Sequence, residues 1–311
     1  MDTVLVTGGR GASGRWIVDR LAGEYEIVVV DYEHPGLGVD PAPHVSFRAA
    51  DLAERGEALD TVTAVDPDAI VHWAAIPVAG THPDGRVFET NVHAAKNVLD
   101  AAGRVDAPIV QASSDGAYGF FFAEPTPLPD ELPITESHQL RPEDPYGLSK
   151  VTAEAAAGTV ARREELPAVS IRPSWIQYPG AYACRSETYV EALDAGAGNF
   201  WSYVDVRDVA DLVAVVIADL LGGDPSVEPG THEAVNCVAV DNALGRPLLD
   251  LLRESYRDVP DYPGVEAGND RTAYAIGKAK RLFGWTPSHS WRTAADETGI
   301  TDPTLFDRDG L

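Results

Sequence analysis

The chain has 311 residues, 44% of them hydrophobic, with 24 Lys and Arg against 49 Asp and Glu for a formal charge of −25. Such a charge repels nucleic acid and anionic membranes, so neither is an expected partner, and the apolar fraction argues against disorder. The longest apolar run, Leu212 to Leu221, contains Asp219 and is too short to span a bilayer.

The elements follow in order. Thr3–Thr7 reads as a strand, Ser13–Ala22 as a helix, Glu26–Asp31 and Val45–Ala49 as strands, and a stretch near Ala53–Val65 as a helix. Ala69–Trp73 is the next expected strand, Arg86–Ala102 a long helix and Ile109–Ser113 a strand. Residues 120–145, rich in Pro and acidic residues, read as a long ordered loop. Tyr146–Glu165 is then expected as a helix and Ala168–Arg172 as a strand. Beyond Arg172 the pattern is irregular, with helices expected near Val206–Leu221 and Gly245–Tyr256. Strands without polar alternation, separated by helices, predict an α/β fold: a Rossmann-like, doubly wound parallel sheet. Residues 1–172 are the expected dinucleotide-binding domain. Residues 173–311 are expected mainly as a small C-terminal substrate lobe, with some segments returning to the first domain.

Cys184 and Cys237 stand apart from any CxxC pair, and the eight His form no HExxH-type cluster, so no metal is expected. No basic stretch precedes an apolar one at the start, which points to a reduced cytoplasmic setting. Only four lysines (Lys96, Lys150, Lys278 and Lys280) face the excess of carboxylates. That balance reads as adaptation to high salt, where self-repulsion is screened, and implies a haloarchaeal type of cytoplasm.

The chemistry begins at Gly8, Gly11 and Gly14, spaced by three between a strand and a helix, with Arg10, Ala12 and Ser13 among them. Such a loop lets backbone approach a pyrophosphate and aims helix N–H groups at it. Asp31 ends the next strand 23 residues after Gly8, placed to accept from adenosine ribose hydroxyls, which favours NAD. Arg10 can pair with a 2′-phosphate, so NADP stays open. Tyr146 and Lys150 lie four apart, on one helix face, and Ser113-Ser114 ends a central strand. A hydroxyl there can hold a substrate oxygen while Tyr146 exchanges its proton. Free tyrosine titrates near ~10, and a cation four residues away, with the charge of an oxidised nicotinamide, is expected to lower it.

In these motifs the chain resembles the extended short-chain dehydrogenase/reductases of the NAD-dependent epimerase/dehydratase group. The likeness runs through TGGRGASG, Asp31, Asp51-Leu52, His72-Trp73-Ala74-Ala75, Asn91, Ser113 to Gly119, Tyr146 to Lys150, Arg172-Pro173, and Lys278 to Pro287. The resemblance implies a catalytic triad of Ser114, Tyr146 and Lys150, with Asp51 and Leu52 flanking the adenine. It further implies that Ala74 and Ala75 line the cofactor, that Pro173 borders the nicotinamide, and that helices 86–102 and 146–165 pair into a homodimer or homotetramer. Asn91 either supports Lys150 through water or only shapes its helix.

Two departures bear on function. Only 28 residues separate Arg172 from Trp201, the Trp201–Asp205 stretch lacks the basic residue the family often places there, and Trp175 stands where Asn is common. Little room and few cations for a diphosphate suit a small sugar. Asp115 is followed by Gly116 where dehydratases carry a second acid, which disfavours elimination. The expectation is therefore a sugar 1-dehydrogenase, close in character to haloarchaeal ones, oxidising a free aldose such as L-arabinose or D-galactose to the lactone. Trp175 would stack on the sugar, with Asp115 and Arg172 as further substrate contacts. A nucleotide-sugar 4-epimerase or a uronate dehydrogenase is the alternative, and a non-catalytic dinucleotide-binding regulator is disfavoured by the intact triad.

Overall fold

Seven strands form one parallel sheet: β1 (Thr3–Thr7), β2 (Glu26–Asp31), β3 (Val45–Ala49), β4 (Ala69–His72), β5 (Ile109–Ala112), β6 (Ala168–Pro173) and β7 (His232–Cys237), in spatial order β7-β6-β5-β4-β1-β2-β3. The computed structural model describes residues 1–36, 39–77, 80 and 82–308; residues 309–311, the end of the expected lobe, lie outside the described residues.

The strands are apolar on both faces because both are covered. Val4 and Val6 face one side, where helices α1 (Gly14–Leu21) and α5 (Val206–Leu220) bury Ile17, Val18, Leu212 and Val213. Leu5 faces the other, where α2 (Arg55–Val65), α3 (Asp84–Ala102) and α4 (Pro145–Glu164) bury Val62, Leu99 and Val160. α4 starts sharply because Pro145 occupies its first turn and the Asp144 carboxylate accepts from Gly147 N at 2.8 Å.

The order of the strands reverses between β1 and β4, so their carboxyl ends open a crevice there. A third apolar cluster, containing Tyr118, Phe200, Trp201, Tyr203 and Leu251, forms the interior of the C-terminal part. Strand β7 was not expected: its His232-Glu233 start reads as polar, and only its parallel pairing with β6 gives those backbone groups partners. The helix expected at Gly245–Tyr256 narrows to α6, Leu248–Ser255, because Pro247 blocks continuation at its N-terminus. Residues 120–144 contain no helix or strand, but Ile134 N donates to Ala273 O and Ile134 O accepts from Ala275 N, which ties the loop down. No helix among the described residues is long and apolar enough to cross a membrane.

Candidate active site

β1 ends at Thr7, whose Oγ1 accepts from Trp73 N at 3.0 Å and Ala74 N at 3.1 Å. Burial drops the His72 imidazole to about 3, with the Lys150 charge adding to it, so the ring is neutral. The Thr7 hydroxyl proton is then left for His72 Nδ1, 2.9 Å away. β1 and β4 are thus tied at the point where the crevice opens. Gly8 follows with φ +68, and a Cβ there would stand 2.7 Å from Ala74 Cα; one on Gly14 would stand 2.1 Å from Gly8 O. Only glycine permits this loop, which leaves the N-terminus of α1 open to an anion. The Trp73 indole donates to Ser13 Oγ at 3.0 Å and pins the loop from the side.

Gly8, Gly11, Ala12, Ser13 and Gly14 line the crevice, a cavity of about 1040 Å3, together with Asp31, Asp51, Leu52, Ala74 and Ala75. Asp31 Oδ1 accepts from Tyr32 N at 2.8 Å and Oδ2 from Arg10 N at 3.3 Å. Both partners are backbone, so the carboxylate remains available to ribose hydroxyls. Arg10 corrects the expectation placed on it. Its guanidinium donates to Glu33 O and lies 6.0 Å from the Phe47 ring centre, and it lines a second, smaller cavity with Arg15 and residues 301–306. The side chain is drawn to a carbonyl and a ring outside the crevice, so it gives no support to a 2′-phosphate. The cradle and the acidic strand end fit NAD.

At the other end of the crevice lie Ser114, Asp115, Tyr146, Lys150, Pro173 and Trp175, brought together from β5, α4 and β6. Ser114 Oγ accepts from Gly116 N at 3.0 Å, capping a short 3-10 turn. Gly116 brings that turn against the Tyr146 ring: a Cβ there would meet Ser114 Oγ at 3.3 Å and Tyr146 Cε1 at 3.5 Å. Tyr146 is half-buried and lines the crevice. The expected lowering of that phenol is not supplied by the protein. Burial pushes it up to about 12, the Ser114 hydrogen bond opposes this, and Asp115 and Asp144 add to it. Lys150 is lowered to about 8 by burial, against the pull of Glu154, and its Nζ donates to Ala112 O at 2.9 Å, 5.4 Å from the Tyr146 ring centre. Asn91 also lines the crevice, but its amide is committed: Oδ1 accepts from Ile76 N, and Nδ2 donates to Ile76 O and Ser149 Oγ. It shapes the loop after β4 and the face of α4 that carries Lys150.

Arg172 does not reach the crevice. Its Nε and Nη2 donate to Glu154 at 2.8 and 2.6 Å, and Nη1 donates to Tyr118 Oη and Glu136 O. Both partners are buried, and Ser113 Oγ donates to the same Glu154 carboxylate at 2.5 Å. Burial pushes Glu154 up, but Arg172 and Ser113 outweigh it and hold the carboxylate below its ordinary range. The guanidinium therefore has no arm free for a substrate carboxylate, which corrects the reading of Arg172 as a substrate contact. Glu154 was missed, although Tyr146, Lys150 and Glu154 share one helix face at spacings of four. Also missed were Ser174, Phe121, Phe122, His82 and Arg86, which line the crevice from loops or a helix start. Nothing in their local sequence marks them.

Asp115 is buried beside Ser114. Burial raises its carboxyl to about 6, while hydrogen bonds from Ser174 and Ser114 pull it down. A carboxyl moved from 3.8 to about 6 loses stability as pH rises between those values, and the charged form costs about 3 kcal/mol above them. Asp115→Asn is thus expected to raise the melting temperature at pH 7.5 and to leave it nearly unchanged at pH 3.5. Equal shifts at both pH values in thermal melts would contradict this.

The family model described as the NAD dependent epimerase/dehydratase family matches residues 4–227. The chain belongs to that family of NAD-dependent enzymes, the extended short-chain dehydrogenase/reductases. Among curated relatives, the UDP-glucose 4-epimerase of Mycoplasma pneumoniae is 29% identical over 54% of this chain, which spans about half (51%) of that protein. The UDP-glucose 4-epimerase of Rhizobium leguminosarum bv. trifolii is 29% identical, with 93% of each chain covered. The crystal structure of UDP-glucose 4-epimerase from Brucella ovis in complex with NAD shares the fold at a TM-score of 0.65, with 22% identity over 95% of this chain and 98% of that one.

Proposed function

We propose that the chain oxidises a small, uncharged sugar with NAD, at C1 of a free aldose. The observation that carries this reading is the substrate end of the crevice. Past Tyr178, no described residue of the C-terminal part lines it. Where the family often places a cation, Trp201 is fully buried and donates its indole N–H to Leu193 O at 2.9 Å. Phe121, Phe122 and Trp175 present rings instead, suited to the C–H face of a sugar. Uronate oxidation loses the contact Arg172 was to supply.

In this reading Ser114 would hold the reacting oxygen, Tyr146 would take its proton, and Lys150, anchored on Ala112 O, would bind a ribose of the cofactor. NAD bound by the glycine loop, Asp31 and Lys150 supplies the acceptor for the C1 hydride and a positive ring charge. Because burial holds Tyr146 high, that charge is the main influence left to draw its proton off.

Nucleotide-sugar 4-epimerisation is the second reading, favoured by the full-length likeness to the Rhizobium enzyme. In it the same residues would hold the cofactor and exchange the proton at the sugar hydroxyl. The charge of −25 supports a high-salt working medium, and the family resemblance supports a homodimer or homotetramer in a cytoplasmic setting. The deciding experiment follows reduced nicotinamide when the protein meets L-arabinose or D-galactose with NAD in molar KCl. Net reduction is expected. Absence of reduction with every free aldose, together with interconversion of UDP-galactose and UDP-glucose, would sink the first reading in favour of the second.

A further inference from the structure

We propose that Asp115 reads the hydroxyl on the carbon beside the one oxidised, so that the site requires a vicinal diol. The inference rests on hydride transfer at Ser114 and Tyr146 but holds for either sugar class. Asp115 is only 9% exposed and still lines the crevice. Its Oδ2 accepts from Ser174 Oγ at 2.7 Å. Its Oδ1 accepts a long side-chain bond from Ser114 Oγ, at 3.3 Å, and the backbone N–H groups of Gly116 and Asp115 also favour the carboxylate. No Lys, Arg or His among the described residues forms an ion pair with it. A carboxyl taken out of water without a cation is costly unless it gains hydrogen-bond donors, so a substrate hydroxyl aimed at Oδ1 has a large effect.

The geometry selects which hydroxyl. When Ser114 turns its proton to the reacting oxygen, Oδ1 loses its side-chain donor, and it lies one oxygen–oxygen step, 3.3 Å, from the Ser114 hydroxyl. Oxygens on adjacent ring carbons are separated by a comparable step, so the neighbouring O–H fills the gap without displacing the first. A hydrogen in its place leaves Oδ1 without a side-chain donor, and a carboxylate there meets like charge. Ser174, at the end of β6, holds the other oxygen and fixes the rotation of the carboxyl, while Gly116 adds no side chain to compete.

The test compares kcat/KM for D-galactose and 2-deoxy-D-galactose with NAD in the wild type, Asp115→Asn and Asp115→Ala. NAD binding, read by fluorescence, checks that each variant folds. The wild type is expected to prefer D-galactose by about 100-fold, the effect of leaving a buried acceptor without its donor. Asp115→Asn, which keeps an acceptor oxygen, should retain part of that preference, and Asp115→Ala should lower it to about threefold or less. A wild-type ratio near one, or a ratio unchanged in Asp115→Ala, overturns the inference. If only UDP-galactose is turned over, the free-sugar reading fails separately, and the same ratio is read between UDP-galactose and its 3-deoxy analogue. There, too, loss of discrimination in Asp115→Ala supports the inference, and equal turnover of the two substrates by the wild type overturns it.

Discussion

Replacing Tyr146 with Phe is expected to lower kcat by about a thousandfold while leaving NAD affinity within about twofold of wild type, a loss typical of removing a positioned proton acceptor. The substitution deletes only the hydroxyl. The ring that packs against Gly116 stays, and so does Lys150, whose Nζ is held by Ala112 O rather than by the phenol. The pH profile gives the same argument a sign. Oxidation needs the phenolate, and burial holds the phenol up near 12, so wild-type turnover should rise with pH from the acid side. Lys150 is lowered to about 8, so above that value its ammonium loses a proton, its hold on the cofactor weakens, and the rise should flatten there. Steady-state rates of wild type across pH 5 to 10, with isothermal titration of NAD for the variant, check both parts. Activity retained in Tyr146→Phe would remove Tyr146 as the proton acceptor, and loss of turnover with NAD binding intact disposes of a merely binding role.

The second large effect concerns stability. Arg172→Met leaves Glu154 as a buried carboxylate with only Ser113 to serve it, and should cost about 3–5 kcal/mol of folding free energy. Changing both partners, as in Arg172→Met with Glu154→Leu, should cost much less, because no orphaned charge remains buried. Urea denaturation of the two single variants and the pair reads this out. If Arg172 instead gripped a substrate, the single variant would fold normally and show its defect in KM alone. The pair joins α4 to β6, while Ser113, Tyr118 and the loop at Glu136 join them to β5 and the C-terminal part. Losing it should therefore soften the floor on which Ser114, Tyr146 and Lys150 stand.

Much of the site can be read without coordinates because its motifs are local. A glycine loop needs its three glycines within seven residues of one another, and a helix face places Tyr146 and Lys150 side by side whatever surrounds them. The parallel sheet is legible for a similar reason: strands covered on both faces must be apolar throughout. Side-chain direction at a distance is not legible. Arg10 sits inside the right motif yet points to Glu33, just past β2, and to Phe47 on β3. Arg172 sits at the right strand end yet is claimed by Glu154, 18 residues away in sequence and adjacent in space. The aromatic mouth at Phe121 and Phe122 lies in a proline-rich loop with no periodicity to betray it.

The sequence by itself determined the family, the crossover architecture, the use of NAD that Asp31 signals, and the identity of the three residues proposed for proton and hydride handling. These are properties of short windows, where backbone geometry alone fixes what neighbours can do. Only the tertiary structure decided which charges are free. It neutralised Arg172 against Glu154, turned Arg10 outward, closed Trp201 into the core and left Asp115 buried beside Ser114 without a cation. Those outcomes depend on long-range packing, because the cost of burying a charge is set by whatever distant segment supplies its partner.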